Sequence, residues 1–169
     1  MKIIEALKKI NELTKKHVDL TEKIHQHCAD MDFETSVYVN QQEKISEWLQ
    51  SAKDIIQEIG RLKYCIQKTN VMTPVSIIID DKEVTKSITE WINRRRLLAA
   101  LDKKTWSSLT NRGLRDNRIQ QSQGTIIDVK VRYYFDPVKR DKMLDILTSE
   151  PFLIDSKLEV VNATTDLIE

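Results

Sequence analysis

The chain has 169 residues with three glycines and three prolines, far below the roughly 12% that these two residues average together. That scarcity excludes a loop-rich, collagen-like or Gly/Pro-rich disordered chain. Charged residues make up 31% and hydrophobic residues 40%, with a formal net charge of +1, so long solvated helices are expected and no global field selects nucleic acid or an anionic membrane.

The first predicted element is an amphipathic helix over residues 2–31. Ile3, Leu7, Ile10, Leu13, His17, Leu20, Ile24, Cys28 and Met31 recur at steps of three and four and share one slowly drifting face. Lysines and glutamates fill the other face. Residues 32–39 lack a helical pattern and form a connection.

Asn40-Gln41-Gln42-Glu43 has the form of a capping box. Ile45, Trp48, Ala52, Ile55, Ile59, Leu62 and Ile66 then follow in steps of 3, 4, 3, 4, 3, 4. This is the a/d seam of a coiled coil, and it predicts a helix to about Lys68. Gly60 lies inside that helix at a cost of about 1 kcal/mol against alanine. A short connection between two long helices implies an antiparallel hairpin.

Pro74 disfavours helix at Thr73. Val75–Ile79 is a β-branched run, Asp80-Asp81 a turn, and Glu83-Val84 a short return strand. Ser87-Ile88-Thr89-Glu90 is a second capping box. It opens a helix carrying Ile88, Trp91, Ile92, Arg95, Leu98, Ala99, Trp106 and Leu109 on one side, with Gly113 as its C-terminal cap. Residues 114–124 read as a polar loop. Thr125–Phe135 alternates in the manner of a half-buried strand. Asp136-Pro137 supplies an N-cap and a first-turn proline for a last helix. Pro151 kinks or breaks that helix, and Ile154, Leu158 and Val161 resume its pattern.

The fold class expected is therefore α+β, mainly α. Residues 1–70 form a long coiled-coil-like hairpin, and residues 71–169 a mixed module with two further helices and a small β element, packed on the hairpin.

Four stretches carry a resemblance: the Met1-Lys2 start with Glu5-Ala6-Leu7, Ile66-Gln67-Lys68-Thr69-Asn70, the Ser87–Arg96 stretch with its adjacent arginines, and Leu158–Leu167. Through them the chain resembles the septicolysin-like family of small bacterial and phage-encoded helical proteins of unknown function. The match spans most of the chain. It implies a helical, oligomer-forming protein and supplies no catalytic residues.

Little in the chain points to chemistry. On a helix His25 and Cys28 share a face but His27 points elsewhere, and two ligands do not make a zinc site. An antiparallel hairpin separates Cys28 from Cys65 by roughly 30 Å at helical rise, so both are expected as free thiols. No phosphate-cradling glycine loop or acid/base pair is present, and the chain reads as a non-enzyme without a cofactor. Arg95 falls on the apolar side of its helix with Asp102 seven residues on, and a buried ion pair between them is expected.

The seam residues Ile45, Trp48, Ala52, Ile55, Ile59, Leu62 and Ile66 are the candidate interface. The function expected is an oligomeric structural or scaffolding protein, a phage virion or similar assembly component. Its partners would be copies of itself and other assembly subunits. A septicolysin-like membrane-active protein and a small nucleic-acid or regulatory binder are the alternatives. With no apolar run of membrane-spanning length and a charged start unlike a signal peptide, a cytoplasmic or virion location is expected.

Overall fold

A computed structural model describes residues 1–120, 124 and 126–169. The chain is α+β and mainly α. The elements in order are α1 (Ile3–His27), α2 (Gln41–Met72), β1 (Pro74–Ile79), β2 (Lys82–Ser87), α3 (Ile88–Asn93), a π-helical turn (Arg94–Leu98), α4 (Ala99–Ser107), β3 (Asn117–Gln120), β4 (Ile126–Val129) and α5 (Pro137–Thr164). They divide into two compact units, residues 1–73 with 159–169, and residues 74–158.

The first unit is the antiparallel hairpin. Lys9 of α1 pairs with Glu58 of α2 at 2.8 Å, and His27 at the end of α1 meets Trp48 with ring centroids 5.8 Å apart. Helix α1 stops at His27, four residues short of the expected end. Asp30 and Asp32 follow directly, and negative charge at a helix C-terminus opposes the helix dipole. The Gln41 side-chain amide donates to the His27 carbonyl at 2.8 Å, so the next helix satisfies one of the orphaned carbonyls of α1. Cys28 and Met31 are exposed rather than on a covered face.

Helix α2 begins at the expected Asn40 cap, with the Glu43 side chain bonded to the Asn40 side chain in place of the Asn40 backbone N–H that a capping box would use. The Asn40 side-chain Oδ1 accepts from the Glu43 backbone N–H at 3.2 Å, and the Asn40 side-chain Nδ2 donates to the Glu43 carboxylate at 2.8 Å. It runs on to Met72 and ends where Thr73 turns extended ahead of Pro74 (φ −92°, ψ 113°).

The last eleven residues belong with the hairpin, not with the module that begins at residue 71 in the sequence-based division. The Ile3 amide donates to the Thr165 carbonyl at 3.1 Å, and Leu167 donates back to Met1 at 2.8 Å. Lys2 pairs with Asp166 at 2.6 Å, holding that carboxyl below its ordinary range. The Ile168 amide donates to the buried Thr69 hydroxyl at 2.9 Å, and that hydroxyl donates to the Cys65 carbonyl.

In the second unit β1 and β2 pair antiparallel from Pro74↔Ser87 to Ile79↔Lys82. The two-residue loop is Asp80-Asp81, both at positive φ (49° and 59°), the combination a type I′ hairpin turn requires. Val75 and Ile77 point into the core. The fully covered Trp91 donates its indole N–H to the Val75 carbonyl at 2.8 Å.

Four expectations for the second half of the chain are corrected. Residues 114–124 are not loop alone, because Asn117–Gln120 pairs with Ile126–Val129. Cross-strand partners supply the missing signal: Ile119 faces Ile127, and Arg118 reaches Asp128 at 3.0 Å. The strand expected over 125–135 covers only Ile126–Val129 and is exposed throughout; Thr125 lies outside the described residues. It stops because no strand continues opposite it, and the Val131 amide turns to the Asp116 carboxylate at 2.8 Å.

Gly113 does not cap the preceding helix, which ends at Ser107. With Arg112 it sits at positive φ in a separate turn closed by the Leu114 amide on the Asn111 carbonyl. Pro151 does not break α5. Leu147, Glu150, Ile154, Leu158 and Val161 stay buried in one helical phase across it, and burial of that stripe offsets the roughly 3 kcal/mol of an interior proline.

Candidate functional site

Helix α2 presents two apolar faces. At about 100° per residue, the seam residues Ile45 to Ile66 and the stripe Leu49, Ile56, Tyr64 and Val71 are centred about 110° apart around the helix. The seam is spent on the hairpin's own packing. Ala52 and Leu62 are buried, and Ile45, Trp48, Ile55, Ile59 and Ile66 are half-buried.

Trp48 closes the tip of the hairpin. Its ring stands edge-on to Tyr38 at 5.4 Å, and His27 stands edge-on to Tyr38 at 5.4 Å. Such pairs add about 0.5–1.5 kcal/mol beyond the area they cover. The seam residues thus come together as the internal joint of the hairpin.

The second stripe remains in solvent. Leu49, Ile56, Tyr64 and Val71 are 55%, 56%, 64% and 62% exposed. Gly60 lies in the middle of that face, and a Cβ placed on it would meet nothing within 4 Å. The strict 3-4 spacing of the seam draws the eye in the sequence and hides this stripe, whose spacing of seven, four, four and seven residues through Gly60 was the signal available.

An ionic cluster ties α1 to α2. Glu58 accepts from Arg61 at 2.8 Å and from Lys9 at 2.8 Å, and the Arg61 hydrogen bond, with that of Lys9, holds its carboxyl at about 2.

In the second unit the expected Arg95–Asp102 pair does not form. Arg94 takes Asp102 and also grips the buried Glu150 through two nitrogens, at 2.8 and 2.9 Å. Arg95 pairs with Asp155 instead. The π-helical turn explains the shift. The Ala99 amide donates to the Arg94 carbonyl, five residues back, which inserts one residue into the turn and moves the partner two turns along from i+7 to i+8. The Glu150 hydrogen bond, with Asp102 adding to it, holds the Arg94 guanidinium above its ordinary range despite burial.

Beside this cluster lies a cavity of about 260 Å³ lined by Val84, Lys86, Trp91, Met143 and Leu147 among others. Cys65 is buried and Cys28 exposed, and neither is in a disulfide. Among the described residues no group of three or more His, Cys, Asp or Glu side chains could hold a metal ion.

No protein-family model matches the chain, and no curated protein matches it. In structure it is similar to a functionally unknown conserved protein from Corynebacterium diphtheriae, at 17% identity and a TM-score of 0.55 over 99% of each chain. At that identity the likeness concerns the fold.

Proposed function

We propose that this chain is a non-enzymatic structural protein that acts by assembling with copies of itself, as a component of a phage virion or a similar particle. The observation that carries the reading is the open apolar face of α2. After the hairpin has closed its own seam, four large side chains along about 33 Å of helix are still more than half exposed. Large apolar side chains aligned on one open helix face, with only Lys53, Gly60 and Gln67 between them, offer a surface for a partner. The resemblance of four sequence stretches to septicolysin-like proteins supports an oligomeric, non-catalytic role and brings in the phage setting.

No helix among the described residues is long and apolar enough to cross a membrane. Light scattering across micromolar concentrations tests the proposal. The expected result is a mass at least twice 19.8 kDa with no leakage from added liposomes. A strict monomer at every concentration overturns it, and liposome leakage by the monomer puts the membrane-active reading in its place.

A further inference from the structure

The seven residues in the outward arc of α2 between positions 49 and 71 are Leu49, Lys53, Ile56, Gly60, Tyr64, Gln67 and Val71. They lie within about 80° of the helix circumference. Their chemistry reads the same from either end: apolar, polar, apolar, glycine, apolar, polar, apolar. In an antiparallel contact between two identical helices about a two-fold axis each residue faces the one equally far on the other side of the axis, so this pattern sets apolar against apolar and polar against polar throughout.

We infer that the outer face of α2 is a self-complementary docking site for α2 of a second copy, packed antiparallel with the two-fold axis at Gly60. Leu49 then faces Val71 of the other copy, Ile56 faces Tyr64, and the Lys53 ammonium faces the Gln67 side-chain carbonyl as donor to acceptor. Gly60 faces its own equivalent. The monomer has no use for a glycine there, since a Cβ would stand in open space and alanine is the better helix former. Two helix backbones approaching at that point do have a use for it.

The area also suits a dimer. The four apolar side chains with the stems of Lys53 and Gln67 offer on the order of 700 Å² a copy, within the roughly 600–1,000 Å² per partner of a stable interface. The repeat of eleven residues through Leu49, Gly60 and Val71 keeps the stripe nearly straight along an α-helix, so the contact can follow the full length.

This inference rests on the self-assembly reading, and disulfide trapping in the full chain separates the two. In a Cys28→Ser background, Gly60→Cys should cross-link to itself under a mild oxidant. Lys53→Cys alone and Gln67→Cys alone should not, while a mixture of the two should. Tyr64→Glu should weaken association at least tenfold. An assembled chain in which Gly60→Cys fails to cross-link, or in which Lys53→Cys cross-links alone, overturns the antiparallel contact and leaves self-assembly standing. A chain that stays monomeric overturns both.

Discussion

The two faces of α2 differ in regularity and in fate. The seam from Ile45 to Ile66 keeps strict 3-4 steps and is buried or half-buried along its length. The outer stripe is sparser, broken by Lys53 and Gln67, and exposed. A regular seam suits a face that must follow a neighbouring helix turn by turn. A sparse face with a glycine at its centre suits one that can stand in water until a second copy arrives. Under the proposed assembly, one helix would serve folding and association with different residues, and the seam would not be the interface.

The largest effect expected separates the faces by stability. Leu62→Ala should cost about 2–5 kcal/mol, because Leu62 is fully buried and the change leaves a cavity. Tyr64→Ser should stay within about 0.5 kcal/mol of the parent, as exposed substitutions do. Denaturant titration at a concentration low enough to keep the chain dissociated checks both. Equal losses would mean that the two faces are not distinct.

Gly60→Ala sharpens the contrast through opposite signs. The dissociated chain should gain about 1 kcal/mol from helix propensity. Association should weaken, because the added methyl sits where two backbones approach. Melting temperature and sedimentation measured on the same sample read the two effects, and a gain in both would remove the reason for glycine at the axis.

The smallest effect concerns the ionic cluster of Glu58 with Lys9 and Arg61. The Glu58 carboxyl sits at about 2, below its ordinary 4.5, so its stabilisation is present above about 4.5 and is lost as pH falls toward 2. Glu58→Gln should therefore be less stable than the parent at neutral pH, by a small margin since the group is near the surface. The difference should vanish near pH 2. A difference independent of pH would assign the loss to packing instead of charge.

These contrasts also show what the sequence made legible. Seam periodicity, the Asn40 and Ser87 caps, the Asp80-Asp81 turn and the Asp136-Pro137 helix start are local signals, and each appears in the fold where it was read. What was missed depends on geometry or on distant partners. The π-helical turn moved the salt bridge from Arg95 to Arg94, because a helical wheel assumes a uniform turn. Strand Asn117–Gln120 is polar enough to read as loop and exists through its pairing with Ile126–Val129. The C-terminal residues pair with the first residues of the chain across 164 positions in sequence, which no local pattern encodes. Of the proposed docking face only the helix that carries it is legible in the sequence; the stripe about 110° round from the seam stands out through its exposure.

The most direct test of two faces with two jobs is sedimentation equilibrium on the parent chain and on Tyr64→Glu, with a thermal melt of each. Tyr64 is exposed, and glutamate is at least as good a helix former as tyrosine, so the hairpin itself should be unaffected. The account predicts that the parent sediments at twice 19.8 kDa or more, while Tyr64→Glu sediments as a monomer that still shows a cooperative folded-state melt. A variant that keeps the assembled mass would contradict the account.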